Sequence, residues 1–185
     1  MLRFDDTSLG NGVALALRRP EHSAGIFAAV DRSRDHLRPW FPWVDRTLTL
    51  DDVESRYGVA AAQHARGELF EFVIVDGATI IGKVDLHSIQ REKGTALLGY
   101  WLARDGEGRG IMRAAIACVA TFAYGGIGLR RLELRTAVNN DRSRALAQRL
   151  GFHLNVAPDA DPRGDMGEET ERYFMTVECW SSLQD

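Results

Sequence analysis

Apolar positions recur along the chain with two different periods, and these periods predict an alternation of strands and helices. Short runs that are apolar, or that alternate apolar with polar residues, are typical of strands, whereas apolar positions three or four residues apart are typical of helices. Strands are predicted over residues 13–17, 70–75, 79–89, 95–102, 130–138, 152–156 and 173–180. Helices are predicted over residues 21–37, from a cap at Thr49 or Asp51 to about Gly67, from Gly110 to about Tyr124, and over residues 144–150.

The order of these elements predicts a mixed sheet. Asp76-Gly77 is a typical hairpin turn, and a second turn before the strand 95–102 completes a three-stranded antiparallel meander. The strand 130–138 follows a helix and should therefore lie parallel to the strand 95–102. The helix from Gly110 is apolar nearly all round, which is typical of a helix packed against a sheet. No repeat and no linker divides the chain, so we expect residues 1–185 to form one domain.

Composition and charge narrow the classes of protein that this pattern allows. The 185 residues are 45% hydrophobic and 26% charged, as in an ordinary soluble globular protein. A net charge of −3 and a pI near 6.0 argue against a nucleic-acid binder, which would normally carry a basic face. No apolar run reaches the roughly 18 residues of a membrane span, and no leader sequence is recognisable, so a cytoplasmic protein without membrane contact is expected. Cys118 and Cys179 predict neither a disulfide framework nor a metal site, and Cys118 is interpreted as a buried thiol.

A strand, a glycine-rich loop and an apolar helix follow one another directly between residues 95 and 112. Gly106, Gly108 and Gly110 alternate in the loop. Glycines allow backbone N–H groups to approach a ligand closely, and the N-terminus of a helix carries partial positive charge. The stretch therefore predicts a site for the phosphates of a cofactor.

The spacing of the loop excludes two common nucleotide-binding patterns. A Rossmann G-x-G-x-x-G loop fails because Ile111 and Arg113 stand where the third glycine would lie, counted from Gly106 and Gly108. A Walker A loop needs Lys followed by Ser or Thr after its last glycine, and here Ile111-Met112 follow. The phosphates must belong to another class of cofactor.

Four segments, in the correct order, resemble motifs of the GNAT acetyltransferase superfamily. The segment from Glu107 to Met112 resembles motif A, which binds the pyrophosphate of acetyl-CoA, and Gly99-Tyr-Trp-Leu102 resembles the strand before it. Asn140-x-x-Ser143, followed by Gly151-Phe152, resembles motif B. The segment 37–43 is similar to the cleft segment of the branch that acetylates ribosomal-protein N-termini at serine or alanine. The resemblance extends from about residue 13 to residue 180.

The resemblance implies both a fold and an activity. The implied fold is α+β, an α/β/α sandwich whose mixed, mostly antiparallel central sheet is splayed at the cofactor site and carries helices on both faces. The implied activity is transfer of the acetyl group of acetyl-CoA to a primary amine, foremost a protein N-terminal α-amine, by direct attack through a tetrahedral intermediate. Transfer to a small amine and a non-catalytic acyl-CoA-binding module are the alternatives. No metal is implied, and a homodimer is the assembly that the branch suggests.

The cofactor contacts follow from the same motifs. The strand end would pair with pantetheine, and the loop N–H groups, aided by the Arg109 side chain, would bind the pyrophosphate. The implied contacts are Trp101, Leu102, Gly108, Arg109, Gly110, Ile111, Met112, Asn140 and Ser143. Arg109 could alternatively be a solvated arginine at the start of a helix. Glu107 stands where the motif has Gln or Arg, and it is expected to point away because a carboxylate repels phosphate.

Candidate catalytic residues are fewer. By the resemblance, Ser143 would protonate the departing thiolate, and it could also cap the short helix. His87 is a candidate general base that shares a strand face with Asp85, although a structural or surface histidine has the same pattern. Glu169 and Glu171 are further options for the base.

The acceptor site depends on weaker signals. Trp40 and Trp43 could form an aromatic wall of the substrate cleft or could plug the edge of the core. An α-amine has a pKa of about 7.7–8.0, against about 10.4 for lysine, so the lack of an obvious base favours an α-amine acceptor. An acidic run could attract a cationic substrate or form a solvated loop; it comprises Asp159, Asp161, Asp165, Glu168, Glu169 and Glu171.

Overall fold

The computed structural model describes residues 4–156 and 169–183. Its strands are β1 (Thr7–Gly10), β2 (Val13–Leu17), β3 (Phe70–Asp76), β4 (Thr79–Gln90), β5 (Thr95–Leu102), β6 (Arg131–Ala137), β7 (His153–Leu154) and β8 (Thr170–Thr176). Its α-helices are α1 (Ser23–Arg32), α2 (Arg34–Leu37), α3 (Leu50–Ala65), α4 (Ile111–Thr121), α5 (Asp141–Arg149) and α6 (Val177–Ser182). Short 3₁₀ turns cover Pro20–His22, Pro42–Arg46 and Arg104–Gly106, and a π-turn covers Phe122–Ile127.

All eight strands belong to one sheet in the order β1-β2-β3-β4-β5-β6-β8-β7. The strands β3, β4 and β5 form the predicted meander, and the described neighbours are antiparallel except for β5 and β6. The strands β5 and β6 are parallel, as predicted from the helix that connects them. The prediction of a mixed, mostly antiparallel sheet is confirmed.

The sheet opens between its two parallel strands. Pairing joins Thr95–Leu97 only to Arg131–Glu133, yet β5 continues to Leu102 and β6 to Ala137. Because the ladder stops after three residues on each strand, the two strands diverge and expose backbone groups along their facing edges. The predicted splay is therefore present, and it lies beside the N-terminus of α4.

Helices cover both faces of the sheet, each over its own buried cluster. On one face, α4 packs on residues that include Phe72, Leu86, Leu132 and Tyr173. On the other face, α1 and α3 pack over a smaller cluster that includes Val30, Val53, Val73 and Trp101. The sandwich expected from the sequence is confirmed.

In the described ranges, no helix is long and apolar enough to cross a membrane.

Several predicted boundaries are wrong for local reasons. The helix predicted over 21–37 breaks at Ser33, whose φ of −120° interrupts the helical path. The last strand ends at Thr176 rather than Trp180, because the Thr176 hydroxyl accepts a hydrogen bond from the Cys179 N–H and starts α6. The strand predicted over 152–156 is only His153–Leu154 long, and β1 was not predicted. Most of the acidic run, residues 158–168, lies outside the described residues.

Candidate functional site

A cavity of about 1060 Å³ occupies the opening between β5 and β6. Its walls are the end of β5, the glycine loop and first turn of α4, the end of β6, α5, and the segment that follows α1. Small-molecule sites usually measure roughly 300–1,000 Å³. The cavity is therefore large enough to hold a bound small molecule.

The glycine loop turns the chain so that the first turn of α4 faces this cavity. Gly108 and Gly110 have φ angles of 73° and 72°, in the left-handed region that only glycine adopts without strain. Gly110 precedes the helix, and its carbonyl accepts the N–H of Ala114 at 3.1 Å. The N–H groups of Ile111, Met112 and the residue after them have no partner within the helix, so they can bind an anion.

The two arginines near this turn point in different directions. The Arg109 guanidinium lies 2.5 Å from the Asp76 carboxylate, at the β3–β4 turn, and Arg109 does not line the cavity. Arg113 does line the cavity, and it makes no ion pair or hydrogen bond with any residue in the described ranges. The helical phase of α4 thus places Arg113, which the sequence did not single out, where Arg109 was expected.

Glu107 lines the cavity rather than pointing away from it, so its expected orientation is wrong. Its carboxylate forms an ion pair with Arg142 on α5 and lies 3.3 Å from Nε2 of His36 on α2. Because a cation balances its charge, Glu107 does not leave an unpaired negative charge beside the loop N–H groups.

Asn140 and Ser143 lie at the start of α5, and their roles in capping this helix differ from the prediction. The Asn140 side-chain oxygen accepts the Ser143 N–H at 3.1 Å, so Asn140 and not Ser143 is the helix cap. The Ser143 hydroxyl instead lies 2.7 Å from the hydroxyl of Tyr100 on β5. Burial raises the pKa of Tyr100 to about 12, so this phenol stays protonated at neutral pH. The sequence did not predict Tyr100 as a site residue.

His87 lines the cavity and lies at the end of a row of charged residues on β4. Its Nδ1 lies 3.7 Å from Oδ2 of Asp85, on the same face of β4. The ladder shifts register after His87, and Ser88 has a φ of 51°, a local distortion that redirects the end of the strand. Burial would raise the pKa of Asp85, but the Lys83 ammonium and His87 hold it below its usual range. Asp85 is therefore a carboxylate beside the imidazole.

The same row of charges continues away from the cavity. Lys83 forms an ion pair with Glu71 on β3, and Glu71 lies 2.6 Å from a guanidinium nitrogen of Arg18. Gly99 on β5 is opposite Asp85, and a Cβ at Gly99 would come within 2.6 Å of the Asp85 carboxylate. The absence of a side chain at this position leaves room for the carboxylate.

The aromatic segment before α3 contributes one wall residue and one supporting residue. Trp40 lines the cavity together with Phe41. Trp43 does not line it, and its ring packs 6.1 Å from the ring of Trp101, centroid to centroid. Trp40 therefore fits the interpretation as a wall of the cleft, and Trp43 fits the interpretation as a plug at the edge of the core.

The other candidates for a base lie elsewhere. The Glu171 carboxylate accepts hydrogen bonds from Arg144 at 2.8 Å and from the Tyr173 hydroxyl at 2.6 Å. Burial opposes its ionisation, but these two partners hold the pKa of Glu171 below its usual range. Neither Glu171 nor Glu169 lines the cavity. Residues 4–156 and 169–183 contain no group of three or more His, Cys, Asp and Glu that could hold a metal ion.

The structure thus brings most of the predicted site residues to one cavity. Those that line it are Trp40, His87, Trp101, Leu102, Gly108, Gly110, Ile111, Met112, Asn140 and Ser143. Arg109 and Trp43 lie outside it. The lining residues that the sequence did not predict include Tyr100, which needs the docking of α5 on β5, and Arg113, which needs the helical phase of α4.

Known proteins are similar to this chain in sequence and in fold. The family model described as "Acetyltransferase (GNAT) domain" matches residues 14–153. The ribosomal-protein-serine acetyltransferase of Escherichia coli (strain K12) is 27% identical over 134 residues, which cover 72% of this chain and 74% of that protein.

Two solved structures have the same fold. The ribosomal-protein-S5-alanine acetyltransferase from Vibrio fischeri has a TM-score of 0.86 at 23% identity, covering 96% of this chain and 99% of that one. RimL, a ribosomal L7/L12 alpha-N-protein acetyltransferase in complex with coenzyme A, has a TM-score of 0.85 at 19% identity, covering 95% of this chain and 99% of that one.

Proposed function

The chain belongs to the acetyltransferase (GNAT) domain family, and we propose that it transfers the acetyl group of acetyl-CoA to the α-amine of a protein N-terminus. The observation that carries this proposal is the cavity itself. It joins an opened strand edge, a helix N-terminus with free N–H groups and a hydroxyl pair to an aromatic wall on the other side. Family membership agrees with the resemblance found in the sequence.

The cofactor side of the cavity fits acetyl-CoA. The unpaired edge of β5, from Leu98 to Leu102, offers backbone groups to the two amides of pantetheine, as an added strand would. The N–H groups from Gly108 to Met112 fit the pyrophosphate, and the Arg113 guanidinium adds the positive charge that Arg109 directs to Asp76. Arg109 contributes only its backbone.

We assign the two proton transfers to His87 and Ser143, which both line the cavity. The amine attacks the thioester carbon and a C–N bond forms, and the tetrahedral intermediate then breaks its C–S bond. His87 accepts the proton that the amine loses, and the Asp85 carboxylate stabilises the imidazolium. The Ser143 hydroxyl gives a proton to the departing sulfur and regains one from solvent in the cavity. His87 then releases its proton to solvent, which returns both groups to their starting protonation states.

A protein N-terminus is the acceptor that the chemistry favours. Its α-amine, with a pKa of about 7.7–8.0, is partly neutral at pH 7, so one imidazole suffices as base. Trp40 and Phe41 supply apolar surface for the first side chains of a peptide. The Escherichia coli relative is named for a ribosomal-protein substrate, which supports a protein acceptor and a cytoplasmic location. A homodimer of single-domain chains is proposed from the resemblance found in the sequence alone.

The test is thiol release from acetyl-CoA with matched acceptors. One peptide has a free N-terminal serine and an internal lysine. A second peptide is identical except that its N-terminus is acetylated, and spermidine represents small amines. We expect turnover with the first peptide only. Turnover with spermidine alone would show that the acceptor is a small amine and not a protein N-terminus. Binding of acetyl-CoA without turnover of any acceptor would indicate a binding module. If calorimetry detects no binding of acetyl-CoA, the proposal fails.

A further inference from the structure

The hydroxyl groups of Tyr100 on β5 and Ser143 on α5 meet in the wall of the cavity. Their oxygens are 2.7 Å apart, although the residues are 43 positions apart in the chain. Both residues line the cavity, and in the described ranges the Tyr100 hydroxyl has no other hydrogen-bond partner. The contact is thus a specific product of how α5 docks on the sheet.

The remaining groups of Ser143 are already committed. Its backbone N–H is held by the Asn140 side chain at 3.1 Å, which fixes where α5 begins. Only the hydroxyl is left, with one proton and two lone pairs. If Ser143 donates to Tyr100, that proton is occupied; if Tyr100 donates to Ser143, the Ser143 proton is free to face the cavity.

The chemistry of the two hydroxyls selects the second arrangement. A phenol oxygen shares its lone pair with the ring, so a phenol is the better donor and the poorer acceptor of the two. The buried phenol keeps its proton throughout the neutral range, since burial raises its pKa to about 12. With its proton directed at the Ser143 oxygen, Tyr100 does not present that proton to the cavity.

We propose that Tyr100 is a positioning residue for Ser143: it donates its hydroxyl proton to the Ser143 oxygen and thereby directs the Ser143 proton into the cavity, where the sulfur departs. This inference rests on the role proposed for Ser143 in acetyl transfer. Tyr100 neither gains nor loses a proton during the reaction. Its contribution is to hold one rotamer and one hydrogen-bond direction, and to make Ser143 a better donor by polarising it.

A double-mutant cycle in the full chain tests the inference. Tyr100→Phe keeps the ring and its packing, and removes only the hydroxyl. We expect it to lower kcat about 5-fold to 10-fold while the KM for acetyl-CoA changes by less than about 2-fold. In a Ser143→Ala background, the same change should lower kcat by less than about 1.5-fold, because the group that Tyr100 orients is gone.

A second tyrosine provides the matched control. The Tyr124 hydroxyl is also buried, and it donates to the Met175 carbonyl at 2.8 Å, but Tyr124 does not line the cavity. Tyr124→Phe should lower the melting temperature and leave kcat unchanged. If Tyr124→Phe lowers kcat as much as Tyr100→Phe does, loss of a buried hydrogen bond explains both results and the inference is overturned.

The outcomes separate this inference from the function on which it rests. If Ser143→Ala lowers kcat and Tyr100→Phe lowers it equally in both backgrounds, Tyr100 acts independently of Ser143 and only this inference fails. A Tyr100→Phe enzyme with unchanged kcat also overturns it. If Ser143→Ala itself retains full kcat, the proposed role of Ser143 fails, and the positioning role of Tyr100 fails with it.

Discussion

The two walls of the cavity differ in whether backbone groups or side chains form them. The cofactor wall, where we propose that acetyl-CoA binds, consists mainly of backbone: an unpaired strand edge and the N–H groups of a glycine loop. The acceptor wall, where we propose that the amine binds, consists of side chains: His87 lies at the end of a row of partly buried charges, and Trp40 also lines the cavity. Backbone groups are fixed by the path of the chain, whereas side chains must be held by neighbours. The first wall is therefore sensitive to backbone conformation and the second to charge and protonation.

The largest expected effect is on the acceptor wall, when the imidazole is removed. His87→Gln should lower kcat about 100-fold, the usual contribution of a general base, with little change in the KM for acetyl-CoA. His153→Gln is the control, since His153 lies on β7 away from the cavity. An unchanged kcat for His87→Gln would assign the base role to water.

A backbone change should impair the cofactor wall instead. Gly110→Ala places a Cβ on a residue with a φ of 72°, which costs roughly 1–2 kcal/mol or shifts the loop. The Kd for acetyl-CoA, measured by calorimetry, should rise about 20-fold while the pH dependence of kcat keeps its shape. Gly58→Ala on α3 has open space and no positive φ, so it should leave the Kd unchanged. Unaltered binding by Gly110→Ala would show that the loop does not position the pyrophosphate.

The one side chain proposed for the cofactor wall allows a sharper comparison. Arg113→Ala should raise the KM for acetyl-CoA about 5-fold to 10-fold, because a charge-assisted contact to phosphate is lost. Arg109→Ala removes an equal charge, but its guanidinium is paired with Asp76, so the KM should change by less than about 2-fold. Raising the salt concentration should reduce the difference between the two variants. The reverse order of effects would mean that Arg109 leaves Asp76 when the cofactor binds.

The smallest expected effect concerns the charges behind the acceptor wall. Burial opposes ionisation of Glu71 and Asp85, but Lys83 holds the pKa of each below its ordinary value of 4.5 or 3.8, with help from Arg18 at Glu71 and from His87 at Asp85. A folded-state pKa below the unfolded value stabilises the fold at higher pH, and this stability is lost as the pH falls through the folded value. The free energy of unfolding should therefore decrease by about 1–2 kcal/mol between about pH 5 and pH 3.

A substitution at Asp85 tests whether the row of charges causes that pH dependence of the free energy of unfolding. Asp85→Asn should flatten the decrease in the free energy of unfolding, as measured by urea denaturation across the pH range. Asp35→Asn, at a nearly fully exposed carboxylate on α2, should not flatten it. Equal flattening by both variants would assign the dependence to overall charge rather than to the buried row.

The two walls also differed in how far the sequence could predict them. The loop and the start of α4 are contiguous in the chain, and a positive φ at a glycine is a local property, so Gly108 and Gly110 were predicted correctly as a turn into a helix. The choice between Arg109 and Arg113 depends on the rotation of α4, which the packing of Ile116 and its neighbours sets. A local pattern does not contain that rotation.

Contacts between distant segments account for the other differences. Tyr100 and Ser143 meet only because α5 docks against β5. The start of α6 had a local signal, since Thr176 is a good helix cap, but the alternating residues before it favoured a longer strand. The antiparallel meander and the parallel pairing of β5 with β6 were predictable from hydropathy and turn residues, whereas the helical layers on both faces followed from the resemblance. The hydrogen-bond partners within the site were not predictable.

The short ladder between β5 and β6 has a thermodynamic consequence. Three paired residues on each strand leave the sheet incomplete in the free protein, so a ligand that pairs with β5 finishes part of the tertiary structure. Affinity and folding are then linked: a ligand at 100 times its Kd should add about 2.7 kcal/mol to the stability of the folded chain. The chain would be most resistant to unfolding and proteolysis when its substrate is abundant, so the cellular supply of that substrate would also set how long the enzyme survives.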